Sequence, residues 1–173
     1  MTIAALLVAA LLMVAPQAPQ VESIQFRDIG HITFDTSVAS DVKVQRLYDV
    51  TEFVLQFVED RCGGCVLDTS MLQLEVYIQP YAQYEDQLLD SLDMHQPELA
   101  ELIRGDQGLI DGHTQLSPFQ PPVMYYYQEP SDPLYIHELL HVLFPQDPEQ
   151  VIQQRQLTIL GSRDYKDWLR NNY

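Results

Sequence analysis

Ser131-Asp132-Pro133-Leu134-Tyr135-Ile136-His137-Glu138-Leu139-Leu140-His141-Val142-Leu143-Phe144-Pro145 is bounded at both ends in the way a helix is. Ser131 or Asp132 can cap the first turn. Pro133 suits that turn because its missing N–H has no helical partner there. Pro145 stops the helix at Phe144, because proline disfavours helical geometry in the residue before it. Leu134, Ile136, Leu139, Leu140, Val142, Leu143 and Phe144 place apolar surface on several sides, so the helix is expected to pack into the core.

Three residues do not suit a purely apolar helix. His137 and His141 stand four apart and therefore share one face, close enough for both imidazoles to bind one metal ion. Glu138 can reach a water held by that metal and take its proton. A structural helix is the alternative reading. Two histidines and a glutamate among so many apolar neighbours, however, need partners to offset their desolvation, and a metal is the simplest partner. A bare His-Glu-x-x-His match is weak, and the capped helix after a strand is the context that strengthens it.

Working back along the chain, residues 123–128 have the aromatic content of a strand, with Tyr125, Tyr126 and Tyr127 in a row. An extended piece at 112–116 is expected at a sheet edge. Leu72, Leu74, Val76 and Ile78 alternate with polar or aromatic residues up to Pro80, a half-buried strand. Apolar residues at helical spacing over 41–61, with Ser40 as cap and Gly63 beyond the end, predict a long amphipathic helix. Residues 83–94 read as weakly helical and 97–104 as a short helix opened by Pro97. Residues 24–35 read as a first extended segment turning at Gly30. Downstream, Asp147-Pro148-Glu149 has the form of a cap and first turn for a helix over 148–160. The fold class is α+β: a small mixed sheet with a long backing helix and a separate helix carrying the histidines.

With these residues in place the chain resembles the zincin metallopeptidases, whose motif His-Glu-x-x-His stands here as His137-Glu138-Leu139-Leu140-His141. The specific resemblance covers residues 123–147, and the order of elements is similar to the N-terminal part of a zincin domain. It implies a zincin-like fold, Zn2+ bound by His137 and His141, and Glu138 as the general base. The implied reaction is hydrolysis of peptide bonds in a peptide or protein substrate by a metal-bound water. For the third ligand, the metzincin register places Asp147 first. Glu149 comes second, as in zincins that take a glutamate from the following helix. Asp164 comes third, in a segment similar to the downstream aspartate motif of the aspzincins.

Residues 3–15 are uninterruptedly apolar and precede Pro16-Gln17-Ala18-Pro19-Gln20. That length suits a signal peptide or short anchor and falls short of the roughly 20 residues that span a bilayer. Residues 1–21 are therefore read as a targeting segment plus linker, and 22–173 as one domain of an exported protein. In that setting Cys62 and Cys65 are expected to form a small disulfide after the long helix. Thiol oxidoreduction is a weaker reading, because such a pair normally opens a helix and does not follow one.

Twenty-five acidic residues against nine basic ones give a formal charge of -16. No basic face exists to neutralise phosphates, so nucleic acid is excluded as a main partner, and membrane contact is confined to the N-terminal segment. Tyr125, Tyr126, Tyr127 and Tyr135 could donate to a developing oxyanion but are expected to serve as packing. His31, His95 and His113 lack ligand spacing. The competing function is a non-enzymatic exported or membrane-anchored binding or structural module that retains the HExxH helix.

Overall fold

The structure, a computed structural model, describes residues 20–26, 30–61, 73–95, 97–105, 111–117 and 120–173. The apolar run 3–15 and the Cys62/Cys65 pair lie outside the described residues. Among those described, no helix is long and apolar enough to cross a membrane.

Five strands form one mixed sheet, and its elements alternate with helices in an α+β arrangement. Strands β1 (Val21–Phe26) and β2 (Gly30–Asp35) pair antiparallel. The single extended segment expected over 24–35 is thus two strands that fold back on one another. Helix α1 (Asp41–Arg61) follows and carries the chain to β3 (Leu74–Ile78), which lies parallel to β2. A crossover of this kind is what a parallel pair requires. Helices α2 (Tyr81–His95) and α3 (Pro97–Gly105) come next, then β4 (Gly112–Ser117) and β5 (Gln120–Tyr126). The order across the sheet is β1-β2-β3-β5-β4, so β4 is an edge strand, antiparallel to β5. Pro121 and Pro122 precede Val123, where β5 begins to pair with β3, so neither interrupts that ladder.

The period of two along the strands separates two faces. Ile32, Phe34, Val76, Ile78, Met124 and Tyr126 point to one face and are buried beneath α1 and the later helix Asp132–Leu143. Helix α1 contributes Val44, Leu47, Val50, Val54 and Leu55 to that layer, a stripe at three- and four-residue spacing. On the opposite face Tyr77, Tyr125 and His113 stack across three neighbouring strands, with ring centroids 5.5 and 5.0 Å apart. Tyr84, Leu88 and Ile103 of α2 and α3 form a second, smaller core there. Gly112 opens β4 because any side chain would collide with the ring of Tyr126: a Cβ would stand 2.5 Å from it.

A last helix (Arg163–Asn172) goes beyond the elements expected from the sequence. Ser162 caps it, accepting from the Tyr165 amide at 3.0 Å, and Tyr165 and Trp168 pack on Phe53 of α1.

Candidate metal centre

Helix α4 (Asp132–Leu143) begins and ends as its sequence dictates. The Ser131 hydroxyl accepts from the Leu134 amide at 3.5 Å, and Phe144, out of helical geometry ahead of Pro145, closes the other end. Its N-terminus is anchored by Asp132, which is 8% exposed. Arg46 of α1 donates to both carboxylate oxygens at 2.9 and 2.8 Å, and the Tyr165 hydroxyl donates at 2.9 Å. The hydrogen bond to Asp132 raises the Arg46 pKa, so the guanidinium stays charged. One turn further, the Tyr135 and Thr51 hydroxyls lie 2.8 Å apart, tying the same helix to α1 again.

Residues 144–148 turn the chain back along α4. The Asp147 amide donates to the Phe144 carbonyl at 3.0 Å, and Arg155 donates to the Asp147 carboxylate at 2.8 Å while its guanidinium lies 3.9 Å from the Phe144 ring centroid. Helix α5 (Glu149–Gly161) then runs beside α4, with Gln156 donating to the Pro133 carbonyl at 2.7 Å.

This route decides which carboxylate meets the histidines. Glu149, the first residue of α5, sets Oε1 3.4 Å from His137 Nε2 and Oε2 3.1 Å from His141 Nε2; the two Nε2 atoms are 3.3 Å apart. Asp147, the residue ranked first for this role, is not in the group, because Arg155 holds its carboxylate. Nor is it the helix cap: Pro148 occupies that position and no side chain caps it. Asp164, ranked third, pairs with Arg61 at 2.7 Å.

The donor set is of the kind that binds zinc. Two donors bound tetrahedrally at about 2.0–2.1 Å stand about 3.3–3.4 Å apart, close to the separation of the two Nε2 atoms, and each of these faces a different oxygen of the Glu149 carboxylate. His137 and His141 keep side-chain exposures of 18% and 24%, so the site opens to solvent. Gln153, one turn along α5, donates to Glu149 Oε1 at 2.8 Å and orients that carboxylate.

Glu138 leaves the helix on the side facing β4 and is 7% exposed. Thr114 Oγ1 donates to its Oε2 at 2.6 Å and lies 3.2 Å from its backbone carbonyl. The four tyrosines noted above are engaged elsewhere: Tyr135 with Thr51, Tyr126 with the Met124 sulfur, Tyr127 with Asp111, and Tyr125 in the ring stack. His113 sits in that stack with both ring nitrogens buried and unpartnered, and burial lowers its pKa to about 4. His31 lies on β2 and His95 ends α2.

Sequence reasoning missed Thr114 and Gln153. The second had a signal, since Glu149 and Gln153 are helix neighbours four apart. Thr114 had none, because strand pairing alone brings it to a residue 24 positions away. Comparison with protein-family models, with curated proteins and with solved structures gives no match.

Proposed function

We propose that this protein is an exported zinc-dependent peptidase in which His137, His141 and Glu149 hold the metal and Glu138 carries the proton. The observation that carries the reading is the gathering, by two consecutive helices, of two imidazole Nε2 atoms 3.3 Å apart with one Glu149 oxygen 3.4 Å from the first and the other 3.1 Å from the second, the buried Glu138 standing next to His137 in sequence. Zinc supplies Lewis-acid chemistry when bound: it polarises a carbonyl and makes a water more acidic. Glu138 accepts the proton of the attacking water and passes it to the leaving amine nitrogen, so that the peptide leaves as carboxylate and amine. The α5 carboxylate offsets part of the ion's charge, and the partial exposure of both imidazoles leaves one side open to a substrate. The apolar segment 3–15 supports export.

Elemental analysis of protein purified without chelator, together with turnover of a mixture of internally quenched peptides, tests this. The expected result is one zinc per chain and hydrolysis that Glu138→Gln abolishes while keeping the metal. Protein without stoichiometric metal, or Glu138→Gln with wild-type turnover, overturns it.

A further inference from the structure

Glu138 is a long side chain that must hold one carboxylate oxygen toward a reacting water, yet among the described residues no hydrogen bond from its own helix fixes its direction. The partner that does comes from the edge strand. Thr114 pairs with Met124 across β4 and β5, so both residues face the α4 side of the sheet. Threonine is branched at Cβ and has few rotamers, which makes its hydroxyl a stiff pointer.

That hydroxyl has one proton and two acceptors within reach, Glu138 Oε2 at 2.6 Å and the Glu138 carbonyl at 3.2 Å. The carbonyl lies within α4, where the amide four residues on is its regular partner. The carboxylate is the nearer and the charged acceptor, so it takes the proton. Oε2 is thereby committed to the strand and Oε1 is left for the water.

We infer that Thr114 is the positioning residue of this centre, holding Glu138 by Oε2 so that Oε1 faces the reacting atoms. The inference rests on the peptidase reading above. In the hydrolytic step the water proton passes to Oε1 and then to the leaving nitrogen, and Thr114 keeps its own proton throughout. Its contribution is orientation, which appears in kcat; zinc binding and substrate binding do not depend on it.

The test compares wild type, Thr114→Val, Thr114→Ser and Glu138→Gln for zinc content, thermal unfolding, kcat and KM on the internally quenched peptides. Valine keeps the shape and removes the hydroxyl; kcat should fall about 10- to 100-fold with KM within about twofold and zinc stoichiometry unchanged. Serine restores the hydroxyl and should return kcat to within a few-fold of wild type. Should Thr114→Val not fold, Thr114→Ala takes its place in the same comparison. The inference falls, and the peptidase reading stands, if Thr114→Val turns over like wild type while Glu138→Gln is dead. It also falls if serine loses as much as valine, which marks a packing role, or if valine loses zinc. A zinc-loaded wild type without turnover overturns the peptidase reading and this inference with it.

Discussion

Arg155 donates to Asp147 at 2.8 Å across the turn between α4 and α5, and this bond spends on structure the carboxylate that stands closest in sequence after the histidines. Glu149, two residues later, is delivered to them instead.

Two substitutions separate these roles. Glu149→Gln should weaken zinc affinity at least tenfold, because a neutral amide oxygen is a poorer partner for the cation than a carboxylate. Asp147→Asn should keep full zinc occupancy and lose about 0.2–1 kcal/mol of stability, the range of a partly exposed ion pair. Metal titration with a competing chelator and urea unfolding read both. Full zinc affinity in Glu149→Gln would remove that residue from the ligand set.

Asp132→Ala should be among the costlier changes outside the proposed metal centre. It leaves the Arg46 guanidinium, in the folded protein partly shielded from solvent, and the Tyr165 hydroxyl without their acceptor. A loss of about 2–3 kcal/mol is expected in urea unfolding, with zinc stoichiometry per folded chain unchanged. An unchanged unfolding curve would show that the network does not anchor α4.

Stability should fall in mild acid because of His113. Its ordinary pKa of 6.5 is lowered to about 4 by burial, so the folded state holds it neutral while the unfolded chain binds the proton. Where the unfolded state binds more protons, stability rises with pH. The contribution is therefore complete above about pH 6.5 and is lost as pH falls toward 4, by about 3 kcal/mol in all. Unfolding free energies measured between pH 4 and 7.5 should show this slope, and His113→Phe should flatten it. An equal slope in the variant would place the titration elsewhere.

The long periodic elements were legible because one dominant force writes them. Helix α1 was read with its observed bounds, and β3 and α4 nearly so, since each buries a regular stripe. The histidine pair was legible because helix geometry alone sets its spacing. Other features depend on contacts outside their own element. The setting of the Asp147 carboxylate was not legible because Arg155, eight residues on and in the next helix, orients it. Thr114 was invisible because only the pairing of β4 with β5 brings it to Glu138. The helix over Arg163–Asn172 went unread although its signal is local: Tyr165, Trp168 and Leu169 stand at i, i+3 and i+4 behind the Ser162 cap, and Tyr165 and Trp168 pack on Phe53.

The placement of aromatic rings on opposite sides of the sheet gives the molecule two optical reporters. Trp168 is the single tryptophan, and it lies among Phe53, Tyr165 and Tyr173 on the α1 side. The stacked rings of Tyr77, Tyr125 and His113 lie on the other. Indole emission therefore reads the docking of the C-terminal helix, and through Tyr165 the anchorage of Asp132, while the near-ultraviolet dichroism of the tyrosines, which lie on both sides, also takes in the α2 and α3 layer. Loss of the two signals at different denaturant concentrations would reveal layers that melt separately, without any label being attached.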